Sequence, residues 1–178
     1  MPKRHHLLPH LWLMTDERLG DALLPAIEAL PRGAGIVFRH YATPPAERRR
    51  LFNAVRTRAR RKRQMLVLAG PVAHARAWGA DGSHGRHKGA LTAPVHNLVE
   101  LRAAERAGAA LLFLSPIFPT RSHLGATHLG RVRFAALCQK TRRPVIALGG
   151  MTAARFKQLG PAGAYGWAAI DGLTPKLD

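Results

Sequence analysis

The run LSPIFPTRSHLGATHLG (residues 114–130) gathers two hydroxyls, Thr120 and Ser122, the guanidinium of Arg121, the imidazole of His123 and the backbone of Gly125 within six positions. Hydroxyl, guanidinium and imidazole groups donate hydrogen bonds to anions, and glycine lets backbone N–H groups close on them. That is the chemistry of a phosphate pocket. His123 adds positive charge only when protonated. His40, His84 and His96 fall at the ends of apolar runs elsewhere in the chain. Of these histidines, His84, His96 and His123 are the candidates for general acid–base work near neutral pH. No HxH or HExxH spacing occurs, so no metal site is read from the sequence.

Such side chains work only if the elements around them bring them together. Eight short apolar runs read as strands: 11–15, 35–41, 64–70, 80–85, 90–96, 110–118, 144–150 and 165–171. Several are apolar almost throughout, as strands covered on both faces tend to be. Helical patterns fall between them at 20–30, 45–62, 97–107, 129–140 and 152–159. Strand–helix alternation implies right-handed crossovers and a parallel sheet. Eight strands predict an α/β chain closed as a small (β/α)8 TIM barrel, with shortened or missing helices after strands 3, 4 and 8. A barrel typically needs about 250 residues, so a doubly wound open sheet is the alternative that length favours. In a barrel, ligands sit at the C-terminal strand ends. Those ends carry Asp16, Arg39 with His40 and Tyr41, Gly70, His84, His96 with Asn97, Ser115, Gly149 with Gly150, and Asp171.

The chain has 178 residues, which predicts a single domain over 1–178 with room for a substantial core. Its 28 basic residues against 10 acidic ones give a net charge of +18. That imbalance points to anionic partners or to a solvated basic surface. The lone Cys138 excludes a disulfide framework and shares a helical face with Phe134 and Leu137, so it reads as a buried structural thiol. No apolar run approaches the roughly 18 residues of a membrane span. The basic N-terminus lacks the apolar core of a signal peptide, and the expected location is cytoplasmic.

The order LWLMTD, GIVFRHY, GADGSHG, PVHNLVELRAAERAGAALLFLSPIFPTRSH, PVIALGGM and AGAYGWAAIDGL resembles the thiamine phosphate synthase/thiazole tautomerase (TenI-like) superfamily over nearly the whole chain. The resemblance implies a (β/α)8 barrel. It also implies an enzyme that joins hydroxymethylpyrimidine diphosphate to thiazole phosphate and releases diphosphate with magnesium. Of the family's Gln-x-Arg-x-Lys motif on strand two, only Arg39 is kept, at the centre of Val37, Phe38, Arg39, His40 and Tyr41. The family's Pro-Thr-x-Thr-Lys becomes Pro119, Thr120, Arg121, Ser122 and His123, with both hydroxyls present. By this resemblance Arg39, Thr120, Ser122 and His123 hold one phosphate, and the N–H groups of Gly149 and Gly150 hold the other.

The chain also departs from that pattern. The family's Asn-Asp after strand three falls on Ala69 and Gly70, and its second magnesium carboxylate falls in RHKGALTA, which contains no acid. Magnesium is therefore implied by the family while its ligands are missing, and no cofactor is assigned. Asp171 stands where a small hydroxyl residue is usual, and Pro116 stands where the TenI-like tautomerases place their proton-transfer histidine. The alternatives to a synthase are a TenI-like tautomerase and a phosphate-ligand-binding homologue without synthase turnover. Oligomeric state is left open.

A third alternative, of another class, starts from AERRRLFNAVRTRARRKR (46–63), which holds nine of the 28 basic residues. Leu51, Val55 and Ala59 recur every four positions and predict a helix packed on the barrel with its arginines outward. Such a stripe could track nucleic acid nonspecifically. With few aromatics and no base-reading module, it is read as a solvated face instead.

Overall fold

In a computed structural model, described for residues 8–119, 127–160 and 162–174, eight parallel strands pair in chain order and close into a barrel. They are β1 (Leu11–Met14), β2 (Gly35–Phe38), β3 (Met65–Ala69), β4 (Gly82–His84), β5 (Thr92–Val95), β6 (Leu111–Leu114), β7 (Val145–Ala147) and β8 (Gly166–Ala169). Closure is made by β1 on β8, with Leu13 opposite Ala169. Each expected strand is present but shorter at its C-terminal end. Apart from His84, which ends β4 within the paired register, the polar residues placed there lie beyond it, in the loops of the barrel mouth. Backbone geometry gives the reason: His40 has φ 44, Gly70 φ 141 and Gly149 φ 95, and none of these continues a strand.

Helices α1 (Leu23–Ala29), α2 (Pro45–Arg61), α3 (Val72–Trp78), α4 (Leu98–Arg106), α5 (Gly130–Cys138) and α6 (Ala153–Leu159) cover the outside. The stretch before α1 is a 3-10 turn, Glu17–Ala22, kinked at Gly20. The helix after β3 has only seven residues, no helix lies between β4 and β5, and among the described residues only the 3-10 turn Asp171–Leu173 follows β8. The shortenings expected after strands 3, 4 and 8 are all present. The missing fourth helix leaves a groove of about 330 Å³ beside α3, lined in part by Val72, Ala75 and Leu91.

The barrel interior is filled by Trp12, Met14, Val37, Val67, Ala69, Leu111, Phe113, Ile146 and Ala168. Trp12 is fully buried and edge-on to Phe113 at 5.3 Å. A Cβ at position 35 would overlap its indole, so this narrow barrel needs Gly35. The outer face of the sheet packs against the helices in two further clusters, one around Phe38 and Phe52, the other around Val95, Leu101 and Phe134. Cys138 is buried in the second, and burial pushes its thiol up to about 12, as expected of a structural cysteine. No helix among the described residues is long and apolar enough to cross a membrane.

Helix α2 corrects one expectation. Phe52, Val55 and Ala59 form its buried stripe, while Leu51 is only partly buried. Its arginines are not all outward. Arg48 donates from Nε and Nη2 to the carbonyl of Arg39 at 3.1 and 2.7 Å, and from Nη2 to that of Ala69 at 2.9 Å. Arg56 donates to the carbonyl of Trp78 at 2.7 Å, and Arg48 and Arg49 lie over the Trp78 ring. Long stems carry these guanidinium groups around the helix to carbonyls and rings at the sheet rim.

Candidate active site

Alternation along each strand decides which residues face the mouth. Met14 and Val37 point inward, so two residues further on Asp16 and Arg39 rise from the inner face at the ends of β1 and β2. They meet: Arg39 Nη2 is 2.9 Å from Asp16 Oδ2, Arg39 Nε donates to the carbonyl of Thr15 at 2.8 Å, and Arg18 binds the other oxygen of Asp16 at 2.9 Å. Burial pushes the Asp16 carboxyl up, but hydrogen bonds from Arg18 and the charges of Arg39 and Arg18 outweigh it and hold it below its ordinary value. Arg39 shifts the other way. Burial lowers its pKa against the attraction of Asp16, and as a guanidinium it still keeps its charge.

His40 turns outward. It is buried, stacks on Phe38 at 4.6 Å, and pairs through Nδ1 with Thr15 Oγ1 at 3.0 Å. That same hydroxyl accepts the backbone N–H of Arg39 at 3.1 Å, so His40 and Thr15 together fix the turn that presents the guanidinium. Burial lowers the His40 pKa.

His84 lies inside the barrel near its mouth. It is edge-on to Phe113 at 5.3 Å, and its Nδ1 is 2.8 Å from Thr92 Oγ1. Burial first, then the charges of Arg39 and His87, lower its pKa to about 3. A neutral imidazole at physiological pH can accept or donate a hydrogen bond, but it has no proton ready to give as an acid. His96 differs. Ala93 and Val95 pack outward against the helices, which puts His96 on the inner side of β5. Its Nδ1 is 2.8 Å from Glu100 Oε2, and Arg86 Nη2 is 3.0 Å from the same oxygen. Glu100 also accepts the backbone N–H of His96 at 3.0 Å, and its own N–H goes to the Asn97 side chain at 2.9 Å. Asn97 thus caps α4, and Glu100 reaches back past it to the N–H and ring of His96, so the same turn orients an imidazole. Burial raises the Glu100 pKa, and His96 and Arg86 more than reverse this, so the carboxylate stays ionised.

Gly149 and Gly150 form the turn after β7, at φ 95 and φ 62. A Cβ at Gly149 would press on Pro116 Cα, and one at Gly150 would meet the Pro119 carbonyl. The 116–119 segment is bonded directly above them, from Ile117 N–H to Leu148 O at 3.0 Å and Phe118 N–H to Gly149 O at 3.2 Å. The glycines therefore have a packing reason to be glycines, whatever ligand they also meet. Arg155, from the first turn of α6, donates to the Gly150 carbonyl and lies over the Phe118 ring at 5.1 Å. The sequence carried no sign of that contact. Thr120, Ser122 and His123 lie outside the described residues.

Arg39, His84 and His96 thus come to one mouth, with Gly149 and Gly150 at its rim. The sequence reading missed the partners: Asp16 and Arg18 for Arg39, Glu100 and Arg86 for His96. The opposite charge of i,i+4 neighbours His96 and Glu100 was a visible signal. The pairing of residues 16 and 39 across two strands was not. Asp171 opens the 3-10 turn after β8, and its charge reaches Arg18, so that carboxylate does not stand alone.

The model of the thiamine monophosphate synthase family matches residues 11–173. A thiamine-phosphate synthase of Salinispora arenicola is 31% identical over 96% of this chain and 92% of its own length. One of Alcanivorax borkumensis is 28% identical over 97% and 88%. Among solved structures, thiamine phosphate pyrophosphorylase from Pyrococcus furiosus superposes with a TM-score of 0.76 at 23% identity, covering 92% of this chain and 86% of that one.

Proposed function

The chain belongs to the thiamine monophosphate synthase family, a family of thiamine-biosynthesis enzymes, and we propose that its barrel mouth joins a pyrimidine diphosphate to a thiazole phosphate. The bond from the pyrimidine methylene carbon to diphosphate oxygen breaks, its electron pair leaves with diphosphate, and the thiazole nitrogen forms the new C–N bond. One observation carries the reading. The family match runs through all eight strands, and so through every residue that lines the mouth. The anion roles are those that the family resemblance implies. Arg39, with Thr120, Ser122 and His123, serves one phosphate, and the N–H groups of Gly149 and Gly150, which have no backbone partner among the described residues, serve the other.

The assay is thiamine phosphate formation from both substrates, with and without magnesium, alongside complementation of a strain lacking the synthase. Product formation by both measures is the expected result, and absence of both overturns it. One feature favours a proton-transfer reading instead, the His96–Glu100 pair, since a carboxylate that fixes Nδ1 leaves Nε2 for a substrate. Tautomerisation of the thiazole phosphate carboxylate, abolished in His96→Gln, would select it.

A further inference from the structure

We propose that Arg86 and His96, braced by Glu100, form an anion site between the ends of β4 and β5 that takes the diphosphate leaving group in place of a divalent metal. The identity of this ligand rests on the synthase reading above.

The residues at the family's two metal positions do not suit magnesium, which wants carboxylate and phosphate oxygens in octahedral geometry. After β3 stand Ala69 and Gly70, and the φ of 141 at Gly70 is one that a residue with a side chain adopts only under strain. Nothing within 4 Å obstructs a Cβ at Gly70, but its backbone angle would put any side chain there, a carboxylate included, under strain. The link from β4 to β5 holds no acid, and it carries Arg86, His87 and Lys88. Two carboxylates at the mouth are already matched by cations of the chain, Asp16 by Arg18 and Arg39, and Glu100 by Arg86 with His96. Among the described residues no three His, Cys, Asp or Glu side chains converge.

What stands in that corner is a donor set. The Arg86 side chain is 54% exposed and that of His96 43%, so both are open to a ligand, while Glu100 is only 26% exposed. The brace is tied to the first turn of α4 through Asn97, which spares the two donors some of the ordering cost of binding. Nη2 of Arg86 lies 3.0 Å from Glu100 Oε2 and 2.9 Å from His96 Nδ1, and its other N–H groups have no partner among the described residues. With Nδ1 facing Glu100, Nε2 of His96 is the ring atom left for an anion, and it donates to one only when the ring is doubly protonated, the form that Glu100 and a bound anion both favour. A guanidinium fork matches phosphate oxygens, and fixed donors aimed at a departing diphosphate stabilise the charge that develops on it.

Inorganic pyrophosphate is titrated calorimetrically into the full chain in EDTA, and the Mn²⁺ paramagnetic resonance spectrum is recorded with protein and pyrophosphate together. The site predicts an affinity unchanged by EDTA and a Mn²⁺ signal equal to that of Mn²⁺–pyrophosphate alone. Arg86→Gln weakens binding at least tenfold at an unchanged melting temperature, and Glu100→Gln weakens it several-fold. Binding abolished by EDTA, absent in the wild type, or unaltered in Arg86→Gln overturns the site. A chain that binds pyrophosphate without metal yet makes no thiamine phosphate refutes the synthase reading and leaves the site standing. A chain that makes the product only with magnesium does the reverse.

Discussion

Arg39 and Asp16 face each other at 2.9 Å across the ends of two neighbouring strands, each about a quarter exposed. The arginine that would meet a substrate phosphate is therefore held before any ligand arrives, by a carboxylate that Arg18 also grips. Such an arrangement lowers the ordering cost of binding, but it obliges an incoming anion to share its cation.

A double-mutant cycle of Asp16→Asn and Arg39→Gln measures that relationship. The pair is neither fully exposed nor fully buried, and a coupling of about 1–2 kcal/mol in urea unfolding is expected, above the surface-pair range. The Asp16 pKa is lowered in the folded chain from 3.8, so its contribution is fully present above that value and is lost as pH falls through the folded pKa. Wild type and Asp16→Asn should therefore converge in stability below about pH 4. Parallel curves down to pH 2 would mean that the ion pair contributes nothing.

His84 makes a second pH dependence of the same sign at higher pH. Its folded pKa of about 3 lies below the ordinary 6.5, so between these values the unfolded chain binds more protons than the folded one. Stability then rises with pH across that window and levels off above 6.5. The slope approaches about 1.4 kcal/mol per pH unit if His84 acts alone. Imidazole proton resonances check it directly, because the His84 signal should not titrate above pH 5. His84→Gln should flatten the window, and a His84 signal that titrates near 6.5 would show that the ring is solvated.

The fold was legible in the sequence because both devices that build it are local. Apolar runs of four or five residues mark strands covered on both faces, and α2 and α4 keep helical spacing. The mouth was half legible. Arg39, His84 and His96 could be placed at strand ends by counting. The partners of Arg39 and His84 could not, because Asp16 reaches Arg39 through strand pairing and His84 meets Phe113 across the barrel. The inward arginines of α2 were misread for another reason: periodicity gives the direction of Cβ, while the guanidinium carbon lies four bonds further on.

Gly149→Ala and Gly150→Ala test whether the turn after β7 is built for packing. Each places a Cβ against Pro116 or the Pro119 carbonyl at positive φ, so each should cost roughly 1–3 kcal/mol in thermal unfolding. Gly70→Ala is the control, with positive φ and no atom within 4 Å, and should cost less. Phosphate affinity lost in Gly149→Ala beyond what the stability change predicts would report the N–H role. If all three variants cost the same, strain alone explains the glycines.

The arginines of α2 divide into two groups that unfolding and nucleic-acid binding should separate. Arg48 and Arg56 spend their N–H groups on carbonyls of Arg39, Ala69 and Trp78, so truncation leaves acceptors unpaired at the sheet rim. Arg48→Ala and Arg56→Ala should each cost on the order of 1–3 kcal/mol. Arg60 and Arg61 are exposed, and Arg60→Gln/Arg61→Gln should stay within about 0.5 kcal/mol of wild type. Were the helix a nucleic-acid surface, the second pair would matter most. The double variant would then flatten the log–log salt dependence of binding by about 2, one unit per lost phosphate contact. With half of the stripe committed to the barrel, the expected result is no retardation of RNA or DNA at physiological salt by micromolar protein. Retardation that the double variant relieves would instead assign this face to nucleic acid.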